Sequence, residues 1–149
     1  MFIYLGGSLT YLYKNNLSHL AIDWRNNLAK FCDDNDIKYF NPVKTFEIEE
    51  NHSYNPKLCV DQNRFYLNKA DILIMDFSNI NHSPGSLWEL FYALEVRHIP
   101  VIAYNLDVLS LTWAQSSHIS YGISHSCNYI DEVKEVLINM FGQSFKNNQ

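Results

Sequence analysis

Apolar and polar positions along the chain alternate between short unbroken runs and helical stripes. Phe2-Ile3-Tyr4-Leu5 is a continuous apolar run ended by Gly6-Gly7, the pattern of a buried strand closed by a tight turn. Leu17, Leu20, Ala21, Trp24, Leu28 and Phe31 recur at helical spacing, and Asn15 or Asn16 is placed to cap that helix. Ile37 to Phe40 is a second short strand, stopped by Asn41-Pro42, and residues 43–56 show no period and read as a loop. A helix is predicted over 57–69, with Cys59 or Val60, Asn63, Tyr66, Leu67 and Ala70 inward. Ile72 to Met75 is the clearest buried strand. A loop, DFSNINHSPGS, then leads to a helix from Leu87 to Val96. Pro100 to Tyr104 is the next strand, and an amphipathic helix covers 130–141 after a polar, aromatic-dotted segment.

Strands this apolar, alternating with helices, imply a parallel sheet of about five strands with helices on both faces. The expected fold class is therefore α/β, a flavodoxin- or Rossmann-like domain spanning 1–149. In such sheets ligands sit at the carboxyl ends of the strands, near the switch in strand order. The segments after Leu5, Phe40, Met75 and Tyr104 are thus expected around any site.

Composition narrows the field. The chain has 149 residues, 47% hydrophobic, with five Gly and four Pro, which suits a packed core and excludes a disordered or collagen-like chain. No apolar run approaches the ~18 residues of a membrane span. The start, MFIYLGGS, lacks the basic and long apolar regions of a signal peptide. Cys32, Cys59 and Cys127 form no CxxC and read as reduced thiols, so a cytoplasmic location is expected. The formal charge of −5 comes without a basic stripe, which argues against polymeric nucleic acid. A small anion stays possible, because backbone N–H groups and hydroxyls bind one unaided. Glu47, Glu49 and Glu50 read as a solvated loop, and the scattered His residues have no metal-ligand spacing.

Few residues on the ligand-side loops carry chemistry. Gly6-Gly7-Ser8 offers free amides and a hydroxyl, but the chain has no GxGxxG, P-loop or Gly-x-Ser-x-Gly motif. Glu89 admits two readings. In one, Ser86 caps a helix and Glu89 reaches back to the cap amide as a capping box. In the other, Glu89 sits in the first helical turn at the ligand edge, kept ionised by the helix dipole, and attacks or stabilises an anomeric carbon.

Four segments shift the weight toward the second reading, with a capping role still open to the free protein: IYLGGS at 3–8, NRFYLNKAD at 63–71, SPGSLWELFYAL at 83–94 and IPVI at 99–102. In order and spacing they resemble the nucleoside 2-deoxyribosyltransferase superfamily, which includes 2′-deoxynucleoside 5′-monophosphate N-glycosidases. The resemblance covers roughly residues 2–104. In that family a small-residue loop, an aromatic-Glu-Leu-x-x-Ala helix and a Pro-Val-Ile strand surround the catalytic Glu, and Glu89 falls on that position. Tyr4 matches the first-strand Tyr that contacts the sugar and the nucleophile. Asn63 stands where most members have an Asp that serves as acid/base or orients the base. Asn transfers no proton, though it can hydrogen-bond a base edge. Asp71, at the end of the same helix, reads as structural.

The resemblance also implies a ligand shell. Ser83 stands six residues before Glu89, where nucleoside transferases commonly carry an Asp for the 5′-hydroxyl and monophosphate hydrolases a Ser for the 5′-phosphate. Ser8 matches a second phosphate-binding Ser, with Gly6, Gly7, Gly85 and Ser86 completing the loops. The hydrolases' Arg after the first strand has no match at Leu9 or Thr10. Members are homo-oligomers whose neighbour completes the site, a role that falls here to Ser110, Ser116 or Ser117. The expected activity is cleavage or transfer at the N-glycosidic bond of a deoxyribonucleoside or its 5′-monophosphate, without cofactor or metal. The rival expectations are an NAD glycohydrolase and a nucleotide-binding sensor that has lost turnover.

Overall fold

The computed structural model describes residues 1–45, 56–106 and 117–146. Its centre is a five-stranded, all-parallel sheet in the order β2-β1-β3-β4-β5. The strands are β1 (Phe2–Gly7), β2 (Lys38–Phe40), β3 (Ile72–Asp76), β4 (Val101–Tyr104) and β5 (His125–Cys127). This is the flavodoxin-like doubly wound order, whose switch point lies between β1 and β3. Those strands pair from Ile3↔Ile72 to Gly7↔Asp76, and Asp76 pairs onward with Tyr104.

Side-chain alternation divides the core into two layers. On one face Ile3, Leu5, Ile72, Ile74 and Ile102 pack against Trp24, Leu28 and Cys32 of α2 (Ser18–Asp34) and Val133 and Leu137 of α6 (Ile130–Lys146). On the other, Tyr4, Leu73, Met75 and Ala103 pack against Leu67 of α3 (Pro56–Lys69) and Leu90 of α4 (Pro84–Phe91). Helices thus cover both faces, as the strand–helix alternation predicts.

The differences from the sequence reading are local. Gly6 and Gly7 do not form a turn after the first strand; they are its last two residues. Close packing explains this: a Cβ on Gly6 would lie 2.8 Å from Met75 Cε, and one on Gly7 2.9 Å from Asp76 Cβ. Neither Asn15 nor Asn16 caps α2; Asn15 closes the short α1 (Thr10–Lys14), and Leu17 precedes α2. Of the predicted loop over 43–56, residues 43–45 are helical and 46–55 lie outside the described residues.

The helix carrying Glu89 starts early, at Pro84, because a proline ring presets φ at a first turn where its missing N–H costs nothing. After Phe91 it widens into a π-helical stretch, Tyr92–Arg97, that ends on left-handed His98. The polar segment after β4 also holds α5 (Ser117–Gly122) and β5, neither of which shows an apolar run.

Candidate active site

At the carboxyl ends of β1, β2 and β3 lies a cleft of about 440 Å³. One wall is the segment after β1, with Gly7, Thr10, Tyr11 and Lys14; Pro42 and Thr45 follow β2. The opposite wall runs from His82 to Ser86, and Asn63 and Cys59 of α3 and Glu89 of α4 complete the lining. Tyr11 and His82 stack across the two walls, with ring centroids 4.4 Å apart.

Glu89 is 7% exposed and receives two hydrogen bonds on the same oxygen. Tyr4 Oη donates to Oε1 at 2.8 Å and Asn63 Nδ2 donates to Oε1 at 3.0 Å. The described hydrogen bonds leave Oε2 open. Burial pushes the Glu89 carboxyl up to about 7, against the Tyr4 hydrogen bond and the charge of Arg25, which favour the ionised form. Burial first, and Glu89 second, hold the Tyr4 phenol well above its ordinary range, so Tyr4 stays a donor.

The capping-box reading fails on this geometry. Ser83 is the residue before the helix, and Ser86 lies inside its first turn, where its hydroxyl bonds Ser83 Oγ at 2.8 Å. Glu89 lies beyond the first turn and faces the sheet edge, not the cap amide. The helix dipole therefore does not keep it ionised; desolvation governs it and works the other way.

The sequence-predicted residues divide accordingly. Glu89, Tyr4 and Asn63 come together, and Gly7, Ser83, Gly85 and Ser86 line the cleft with them. Gly6 and Ser8 do not line it. Gly6 packs on Met75, and Ser8 is 1% exposed with its hydroxyl unpartnered among the described residues. Ser8 and Ser83 therefore do not face one ligand together. Ser110 and Ser116 lie outside the described residues. Asp71 accepts the Phe2 amide at 2.8 Å and ties α3 to the start of β1, a structural role.

The sequence reading missed much of the cleft lining, and Lys14, His82 and Cys59 matter most for its chemistry. Lys14 brings a cation that pairs with no described carboxylate, His82 brings an imidazole, and Cys59 a thiol. Their signal was topological: Lys14 and His82 lie on segments that follow strands at the switch point. Among the described residues no three metal-ligating side chains gather, and no helix is long and apolar enough to cross a membrane.

No family model matches the chain, and no curated protein matches it.

Proposed function

We propose that the protein cleaves or transfers at the N-glycosidic bond of 2′-deoxyribonucleosides or their 5′-monophosphates, in the manner of the deoxyribosyltransferase superfamily. One observation carries the reading: two donors from different elements grip a single oxygen of a buried cleft carboxylate, leaving the other oxygen open. Such a carboxylate is oriented as a nucleophile. Glu89 Oε2 attacks C1′ as the C1′–N bond breaks and the base departs with the bonding pair. Water or a second base then displaces Glu89 from the deoxyribosyl ester, giving hydrolysis or transfer. Asn63 orients Glu89 and has no proton to give, so protonation of the departing base falls to solvent or to His82.

The polar groups of the cleft favour the monophosphate. Lys14, Ser83, Ser86 and the Gly85 backbone supply a cation, hydroxyls and an amide to a lining whose one carboxylate among the described residues is Glu89. Lys14 takes the place of the Arg that the sequence lacks at Leu9 and Thr10. The same resemblance supports a second copy of the chain completing the cleft.

Asn63 also supports a second reading, a nucleotide-binding protein without turnover. Chromatography after separate incubation with deoxynucleosides, deoxynucleotides and NAD separates the two. Base release from a deoxynucleotide, lost in Glu89→Gln by on the order of 10³-fold, is the expected result. Release from NAD alone moves the protein to the glycohydrolases. Release from none, with nucleotide binding retained, leaves the sensor.

A further inference from the structure

Arg25 is the largest wholly buried side chain among the described residues, and the proposed reaction does not use it. Its Nε donates to Leu5 O at 3.3 Å and its Nη1 to Ala21 O at 2.8 Å. The guanidinium carbon lies 4.5 Å from the Trp24 ring centroid, and Nη2 has no hydrogen-bond partner among the described residues. Two carbonyls and a ring hold a guanidinium in place without neutralising it.

The location gives the charge a purpose. Arg25 belongs to α2, on the sheet face opposite the one where Tyr4 and Leu90 pack. A Cβ on Gly7 would lie 3.0 Å from Nη2 and 2.9 Å from Asp76 Cβ. Gly7 in turn lines the cleft. Gly7 therefore borders the Arg25 guanidinium and also lines the cleft that Glu89 enters. Asp76 is 2% exposed, and its Oδ1 accepts from the Ser78 amide at 3.0 Å and from Asn105 Nδ2 at 3.5 Å.

We propose that Arg25 is a positioning residue for Glu89, a buried counter-charge seated behind Gly7 that Glu89 shares with Asp76. From behind the glycine it favours the ionised carboxylate without forming an ion pair that would block Oε2. The attraction of Asp76, and after it that of Glu89, keeps Arg25 charged although burial draws it down to about 10. Two carboxyls depend on one cation, so a change at either is felt at the other. Tyr4 from β1 and Asn63 from α3 touch Glu89, and Cys59 from α3, Lys14 from α1 and His82 after β3 line the same cleft. None of these is a buried permanent cation. Tyr13 also acts on Arg25.

The inference rests on Glu89 as the reactive group only for its effect on turnover, and its test reads the carboxyl directly. The Glu89 side-chain carboxyl is titrated by ¹³C NMR, assigned by the signal lost in Glu89→Gln, beside the pH profile of kcat/KM for base release. In Arg25→Met the midpoint should rise by about one pH unit, with the acidic limb of kcat/KM following. Arg25→Lys should restore most of that shift. Asp76→Asn should move the midpoint down, because the cation then serves Glu89 alone. A folded Arg25→Met with an unmoved midpoint overturns the proposal, as does Asp76→Asn shifting in the same direction as Arg25→Met. If Arg25→Met does not fold, Arg25→Gln takes its place: a raised midpoint in that folded variant supports the counter-charge, and an unmoved or lowered one refutes it. Titrations as expected with no base release from any substrate leave the counter-charge standing and reject the proposed activity.

Discussion

Tyr4 and Glu89, 85 positions apart in sequence, meet through a 2.8 Å hydrogen bond at the buried end of the cleft. The bond joins β1 to the helix after β3, so the orientation of the carboxylate is fixed by the pairing of β1 with β3. Asn63 adds a third element to the same oxygen. A carboxylate held this way loses little freedom on meeting a substrate, which is the benefit of preorganisation.

Tyr4→Phe isolates that bond. The ring still fills its place against Phe40, 5.3 Å away between centroids, so the fold is expected to survive. The hydroxyl stabilises the ionised carboxylate, so its loss should raise the Glu89 carboxyl above about 7. The acidic limb of kcat/KM should then move to higher pH, with kcat/KM at neutral pH falling by about 10–100-fold. An unmoved limb in a folded variant would reduce Tyr4 to a packing residue.

Glu89 also links pH to stability. Its carboxyl is raised in the folded protein to about 7 from an ordinary 4.5, so between those values the native state binds more protons than the unfolded chain. Stability from this group is therefore full below the lower value and declines as pH rises through the higher one. Asp76, raised by burial, acts with the same sign. Urea unfolding at pH 5 and pH 8 should show a loss on the order of 3 kcal/mol from Glu89. Glu89→Gln should flatten that dependence and be the more stable protein at pH 8.

Two glycines of the cleft should respond oppositely to alanine. Gly7 has φ +135° and no room for a Cβ between Asp76 and Arg25. Gly7→Ala is expected to cost about 2–4 kcal/mol, read as a lowered urea midpoint. A Cβ on Gly85 meets nothing within 4 Å, and the residue lies in the first turn of α4. Gly85→Ala should raise stability by about 0.5–1 kcal/mol. Equal effects would contradict the packing described around β1.

Substrate choice is tested at Ser83. Its hydroxyl bonds Ser86 and lines the cleft with Lys14. Ser83→Asp adds a negative charge there, and should weaken use of deoxyguanosine monophosphate at least tenfold more than use of deoxyguanosine. Lys14→Gln should act in the same direction with a smaller ratio. A wild-type preference for the free nucleoside would assign this end of the cleft to a hydroxyl.

The apolar strands were legible in the sequence because a parallel sheet buried on both faces leaves unbroken runs such as Ile72 to Met75. The edge strand β5 was not, since His125 and Ser126 are exposed and only Cys127 is buried. The Ser86–Glu89 spacing imitates a capping box, and the stronger signal was Pro84, which sets the helix start three residues earlier. Arg25 was hidden by its charge. Yet it lies four residues after Ala21 and three before Leu28, on the stripe that α2 buries. Which carboxylate oxygen is held, and what stands behind Gly7, depend on the β1–β3 register, and local pattern carries no such information.

That register has a consequence during synthesis. β1 leaves the ribosome well before β3, its partner in the sheet centre, since Phe2 and Asp71 meet across 69 residues. At roughly 5–20 residues per second the run Phe2 to Leu5 waits several seconds for that pairing. Until then four apolar residues have no finished sheet to enter, and Tyr4 has no carboxylate to bind. The earliest chain able to hold the Tyr4–Glu89 pair is one whose exposed length already reaches α4. A strand whose β3 edge stays open this long, even with β2 on its other side, is a natural point for a chaperone to act, and for aggregation to begin when none does.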